Sequence, residues 1–486
     1  MGYSQFLNMV PEFYLVCILL VVFFMDFFFS RKSGRDHEVF GGVTIGLMLV
    51  LPVRIAFLSE PTEAFGGMYV ASQAANVMKV ILSIGTVIVL IMAEPWLKNE
   101  AQKHRGEFYL LMLSTLLGMF IMVSSGSFLL FFLGLETASV PMACLVAFDK
   151  FKKKSAEAAA KYILVATFSS GVMLYGISFV YAATGTLYFD DVANVLFGTN
   201  PLYEGVTPLT ILGLVFFFSG LAFKLSLVPF HFWTADTYEG APTPVTGYLS
   251  VCSKGAAAFA AMVILTKAFA PLVEYWEYML YVLIVLSITI ANLFAIRQSE
   301  LKRFMAFSSI SQAGYIMLAV IGASQTGMAS LMYYVLVYVV ANMAVFTVIS
   351  TVEQNNGGTT AMSSYDGLYQ TNPKLAFLMT LALFSLAGIP PFAGMFSKFF
   401  VFMAAAHQGS FWAYFVVFIA LVNTVVSLYY YLLIVKAMYI NKTETPLPAF
   451  KTDGNTRFAL ALCTLGIALF GLCSCIYEWL FAASAM

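Results

Sequence analysis

"GLAFKLSLVPFHFWTADTYEGAPTPVTGYLSVCSKGAAAFA", residues 220–260, sets Lys224 and Lys254 inside runs so apolar that a charge there ought to be expelled. The surroundings explain the setting. A bilayer core about 30 Å thick takes roughly 20 apolar residues per helix. The chain has 486 residues, 61% of them hydrophobic, 16% aromatic and 10% charged, far more apolar surface than a soluble core hides. Fourteen segments qualify as spans, near 7–30, 38–58, 77–96, 106–124, 126–148, 156–183, 208–230, 243–268, 275–296, 302–323, 327–350, 374–405, 410–438 and 457–483. This predicts an all-α polytopic membrane protein of about 14 transmembrane helices, with residues 1–486 forming a single membrane domain.

The first apolar run is long, no basic stretch precedes it and "SRKSGR" follows it, so it is expected to be a first span rather than a cleaved signal. Basic residues cluster in alternate loops. Arg31, Lys32 and Arg35 follow span 1, and Lys98, Lys103 and Arg105 follow span 3. Lys150, Lys152, Lys153 and Lys154 follow span 5, and Arg297, Lys302 and Arg303 follow span 9. The positive-inside rule puts these loops in the cytoplasm, or the matrix of an organelle, and both termini on the opposite side. A formal net charge of zero offers nothing to attract a nucleic acid.

"LSLVPFHFW" at 225–233 and "LAGIPPFAGMF" at 386–396 each interrupt a long apolar segment with a Pro-Phe pair. Pro229 and Pro391 stand 162 residues and five spans apart, and an odd number of spans inverts the topology. Paired interrupted helices in two inverted halves point to a transport pathway at the midplane. Two independent kinks in a Pro-tolerant membrane protein are the plainer alternative.

Glu136, in "FFLGLETASVPMACLVAF", and Lys254 each lie ten or so residues into a span, roughly 15 Å deep at 1.5 Å per residue. Lysine stems reach water only near helix ends. A central charge costs about 2.5–3.5 kcal/mol even on a lenient scale, so each must find water or a partner. Lys224 just ahead of the first break and Lys398 just past the second add two more ammonium groups, and His231 lies inside the first break. A static set of ion pairs would need balanced charges, whereas here three lysines share one evident deep carboxylate. Titratable cations beside Ser226, Ser250, Ser253, Ser308, Ser309, Ser311, Gln312 and Asn342 suit a proton relay instead, although such polar residues also glue helices together. Lys161 and Lys302 could extend the relay or anchor at the interface.

The sequence has no GxGxxG, no Walker A and no iron–sulfur cysteine run. The histidines, His37, His104, His231 and His407, form no metal-spaced pair, and the six cysteines read as packing residues. No cofactor is expected in this chain, so it must draw on an ion gradient or a partner.

"PFHFWTADTYEGAPTPVTGYLSVCSKGAA", "GIPPFAGMFSKFFVF" at 388–402 and "QSELKRFMAFSSISQAGYIML" at 298–318 together resemble the antiporter-like subunits of proton-pumping NADH:quinone oxidoreductase, respiratory complex I. The wording is similar to subunit N, the bacterial counterpart of mitochondrial subunit 2, and lysine rather than glutamate at 398 favours it over subunit M. The resemblance covers nearly the whole chain. Thr234-Ala235-Asp236-Thr237 and Met395-Phe396-Ser397 depart from the usual wording and leave the charges in place. The resemblance implies two inverted five-helix repeats, 106–268 (spans 4–8) and 275–438 (spans 9–13), with discontinuous helices 7 and 12. It implies a relay in which Glu136 pairs with Lys224, Lys254 lies in the middle and Lys398 stands at the exit. It also implies partner subunits, membrane and peripheral, that carry flavin, iron–sulfur clusters and quinone, and a bacterial cytoplasmic (inner) membrane location. The alternatives are a subunit of a multisubunit cation/proton antiporter or membrane-bound hydrogenase, and a scaffold without proton transfer.

Overall fold

A computed structural model describes residues 3–29, 35–58, 60–101, 104–199, 205–443 and 446–485. The loop cations Arg31, Lys32 and Lys103 lie outside the described residues. In lipid every backbone polar group must be satisfied within the protein, so the apolar runs become helices. They are α1 (Val10–Phe29), α2 (Arg35–Ala56), α3 (Gln73–Asn99), α4 (Arg105–Val123), α5 (Phe128–Val146), α6 (Lys153–Thr184), α7 (Phe189–Leu196), α8 (Pro208–Leu225), α9 (Phe232–Gly240) and α10 (Thr243–Tyr248). There follow α11 (Lys254–Thr266), α12 (Val273–Ala295), α13 (Leu301–Ile321), α14 (Gln325–Asn355), α15 (Leu368–Thr371), α16 (Pro373–Ala387), α17 (Ala393–Ala406), α18 (Phe411–Tyr439), α19 (Gly454–Leu472) and α20 (Cys475–Ala483). A small antiparallel hairpin, β1 (Thr62–Ala64) with β2 (Tyr69–Ala71), fills the loop before α3.

Among the described residues thirteen helical stretches are long and apolar enough to cross a membrane. The twelfth expected span, 374–405, is built from two shorter apolar helices, α16 and α17. The last expected span, 457–483, is also divided. Cys473 turns extended after α19, where Gly471 lies so close to the second break that a Cβ would stand 2.7 Å from the Pro391 carbonyl oxygen.

Burial sorts the helices into two shells. The apolar windows of α13 and α14 are wholly buried and those of α3 and of the α10–α11 span nearly so, whereas α1, α6 and α18 keep most of theirs exposed. Residues on α11, α13 and α14 therefore face protein on every side. That is where the polar sequence motifs lie.

The two breaks are alike. α8 ends on Ser226, in the left-handed region at φ 63, and α16 ends on Gly388 at φ 89. Each left-handed residue lets its N–H close back on the last turn, to Ala222 and Phe223 or to Phe384 and Ser385. Non-helical residues then follow, 227–231 before α9 and, after Gly388, 389–392 before α17. Ser226 and Gly388 share the 162-residue offset of Pro229 and Pro391.

Candidate functional site

Lys224, on the last turn of α8, is buried, and its Nζ donates to Ser139 Oγ at 2.9 Å and to the Tyr162 hydroxyl at 3.5 Å. The expected direct pair with Glu136 is not formed. Glu136 is half-buried one turn earlier on α5, within electrostatic reach of Lys224 but without a salt bridge among the described residues. Ser139 follows Glu136 by three residues on the same helix face, and it is the Ser139 hydroxyl that takes the ammonium. His231 caps α9 inside the break, buried, with its ring 4.6 Å from that of Phe232 and no hydrogen-bond partner for its Nδ1 among the described residues.

Lys254 begins α11 directly after a π-helical stretch, Leu249–Ser253. Such a stretch shifts the helix register and is frequent at functional sites. Lys254 Nζ donates to Ser309 Oγ on α13 at 2.8 Å and lies 5.5 Å from the centre of the Tyr238 ring. The Tyr238 hydroxyl meets the same Ser309 Oγ at 3.3 Å. Ser309 in turn reaches the Ser250 carbonyl, and Asn342 on α14 donates to Ser250 Oγ at 2.6 Å. Beyond them the buried hydroxyls of Ser311 and Tyr338 have no hydrogen-bond partner among the described residues.

Lys398 closes the series. It is buried, donates to the Ala387 carbonyl at 3.0 Å, and stands 4.9 Å from the centre of the Tyr315 ring. That carbonyl is one of those freed where α16 stops. Gln312 on α13 donates to the Leu386 carbonyl and to Tyr431, and accepts from Tyr334. The space here is a pocket of only about 10 Å³ lined by Gln312, Tyr334, Ser397 and Lys398, room for about one water. The lysine itself satisfies the freed carbonyl and fills most of the space beside the break. A Cβ at Gly388 would stand 3.1 Å from the Lys398 Cδ and would have to hold a positive φ. Gly388→Ala is expected to destabilise the protein by about 1–2 kcal/mol and to displace Lys398. Thermal unfolding and proton pumping of the purified variant both check this, and no change in either would remove the glycine's assigned part.

Lys302 is buried at the start of α13 and donates to the Ala241 carbonyl at 2.7 Å, with Glu353 3.9 Å away. Lys161 lies apart from the buried series. Half exposed on α6, it makes ion pairs of 2.7 Å with Glu157 and Asp236. Nearby, burial opposes the charge on Lys152, but its hydrogen bonds to Asp149 and Glu100 outweigh that and hold its pKa above the usual lysine range.

The sequence reading missed two buried charge clusters. Lys79 on α3 lies 2.7 Å from Glu12 and donates to Tyr69, which donates to Glu12 at 2.8 Å. Arg105 pairs with Glu94, and Tyr109 joins both. Lys79 and Glu94 both sit in the apolar run 77–96, a signal as plain as that of Lys254. Unlike Lys224, Lys254 and Lys398 these cations have carboxylate partners, which suits packing of α1, α3 and α4. Among the described residues no group of three or more His, Cys, Asp and Glu could hold a metal ion.

The transmembrane family described as NADH:quinone oxidoreductase/Mrp antiporter matches residues 125–426. A protein of Phocaeicola vulgatus named NADH-quinone oxidoreductase subunit N is 57% identical, covering 99% of each chain. The chain belongs to the NADH-quinone oxidoreductase subunit N family. Another subunit N, of Azobacteroides pseudotrichonymphae, is 50% identical over 99% of this chain and 98% of that one. Among solved structures, a chain of respiratory complex I from Thermus thermophilus with bound aureothin is 30% identical, with a TM-score of 0.76 over 95% of this chain and 97% of that one. The Mrp complex from Dietzia sp. contains a chain at TM-score 0.84 and 20% identity over 99% of this chain and 97% of that one, a likeness of fold.

Proposed function

We propose that this chain is the proton-translocating membrane subunit N of an NADH:quinone oxidoreductase. It moves protons along Glu136, Lys224, Lys254 and Lys398, driven by redox chemistry in partner subunits. One observation carries the reading: Lys224, Lys254 and Lys398 are all buried, and each is held by hydroxyl or carbonyl oxygens rather than by a carboxylate. An amine held this way can give up its proton without breaking an ion pair. The hydroxyls and amides of Tyr238, Ser309, Ser250, Asn342 and Gln312 supply the donors and acceptors for steps between them. His231 and Lys302 are secondary sites, and Lys161 is a rim anchor.

The shared 162-residue offset of Ser226 with Gly388 and of Pro229 with Pro391 supports two inverted repeats, 106–268 and 275–438. The basic loops face the cytoplasm, both termini face the other side, and the membrane is the bacterial inner membrane. Flavin, iron–sulfur clusters and quinone belong to the partner subunits. Copurification tests the assignment: peripheral flavin and iron–sulfur subunits are expected with this chain, whereas antiporter subunits alone would sink it.

Glu136 acts on Lys224 through space. Glu136→Gln is expected to slow pumping by about tenfold, a barrier increase near 1.4 kcal/mol, while Ser139→Ala stays within about twofold. Equal losses in the two variants, measured in proteoliposomes, would put the Ser139 hydrogen bond in place of the carboxylate.

A further inference from the structure

A cavity of about 260 Å³ opens on the face of the basic loops, between α3, the α5–α6 connection, the α9–α10 turn, the start of α13 and the end of α14. That volume holds several waters. Five carboxylates line it, Glu100, Asp149, Glu239, Glu300 and Glu353, against three ammonium groups, Lys152, Lys154 and Lys302.

Most of these charges are committed. Lys152 takes Glu100 and Asp149, Lys154 takes Glu239 together with Arg303, and Glu300 accepts from Thr360. Glu353 differs. One of its oxygens accepts from Thr243, and the other stands 3.9 Å from the buried Lys302 Nζ, too far for a hydrogen bond. Tyr365, wholly buried and within electrostatic reach of Glu353, has a hydroxyl with no hydrogen-bond partner among the described residues. Glu353 thus stands between the cavity on one side and a buried amine on the other.

Behind Lys302 the path continues inward. Ser309 lies seven residues further along α13, two turns or about 10 Å at 1.5 Å per residue, and holds both Tyr238 and Lys254.

We infer that Glu353 is the uptake carboxylate of the relay, taking protons from cavity water and passing them through Lys302 toward Lys254. This rests on the relay reading above. A hydronium ion gives its proton to the Glu353 carboxylate, and the carboxylic acid then gives it to the Lys302 amine. Lys302 hands the proton on through Ser309 and Tyr238, returning to the amine, and the carboxylate is free again. The surplus of carboxylates around the mouth gathers protons for this step.

The alternative is a strap in which Glu353 only ties α14 to Thr243 and Lys302. Glu353→Gln separates the two, because the amide oxygen can keep the Thr243 bond while the titrating group is lost. In proteoliposomes carrying the whole complex, the pumping loss in Glu353→Gln is expected to grow from small near pH 6 to about tenfold near pH 8.5, where protons are scarce, and Glu353→Asp to restore most of it. A Glu353→Gln profile parallel to that of the unchanged protein overturns the inference. So does an equal loss at every pH without rescue by Asp. Lys254→Ala run alongside tells the two readings apart: if it pumps normally the relay itself fails, and if it is blocked while Glu353→Gln is unaffected only the uptake role fails.

Discussion

Lys254→Ala is expected to leave the complex assembled and oxidising NADH while proton pumping falls by about two orders of magnitude. The size follows from position. Lys254 starts α11, whose neighbours from Gly255 to Met262 are buried alanines, glycine, phenylalanine and methionine, so no other titratable group lies on that turn. Without it a proton leaving Ser309 would have to cross as a bare charge near the membrane centre. That adds about 2.5–3.5 kcal/mol, and each 1.36 kcal/mol is tenfold in rate. Folding should tolerate the change, since the lost bond to Ser309 leaves that hydroxyl with Tyr238 and the Ser250 carbonyl. Lys254→Arg sharpens the test. A guanidinium keeps the charge but does not release its proton, so pumping should remain blocked if exchange rather than charge matters. Dye quenching measured beside NADH oxidation reads both, and normal pumping in an assembled Lys254→Ala complex would refute the central role.

Which parts of this were legible beforehand follows from how lipid filters sequence. A proline pair or a lysine inside twenty apolar residues is a discrete signal, because hydrocarbon leaves few ways to satisfy it. Both breaks, the placing of Lys224, Lys254 and Lys398 within apolar segments, and the series of serines and Gln312 on α13 were accordingly readable from spacing alone. Partner choice was not. Glu136 and Ser139 share a face of α5, and only the lateral seating of α8 decides that Lys224 takes the hydroxyl. The same limit hid Glu353, which looks like a loop acid after span 11 until the α9–α10 turn brings Thr243 against it. The division of the last span depends on Gly471 meeting the backbone of a segment eighty residues away, which no local pattern records. Lys79 and Glu94 are a different case, since both were visible in span 3. Their pairing with Glu12 and Arg105 restores the charge balance that a count of one deep carboxylate denied them.

Lys398→Ala is expected to stop pumping nearly as fully as Lys254→Ala, because it removes the last buried amine of the series. Snorkelling to the surface is the competing fate for a lysine five residues into α17, and the geometry opposes it. The side chain turns back along the break, its stem passing under Gly388 and its ammonium meeting the Ala387 carbonyl, and the residue is 4% exposed. The aromatic face of Tyr315 at 4.9 Å gives the cation a second hold, worth about 0.5–2 kcal/mol. A pocket of about 10 Å³ admits roughly one water and nothing larger. Accessibility separates the two fates in a chain whose native cysteines, of which Cys17, Cys144 and Cys475 are exposed, have been replaced. A cysteine placed at 398 should resist bulky thiol reagents and react slowly with small aqueous ones from one side of the membrane only. Loss of pumping in Lys398→Ala with that labelling pattern would make the residue the exit site. Ready labelling by bulky reagents together with intact pumping would place it on the rim and end the relay at Lys254.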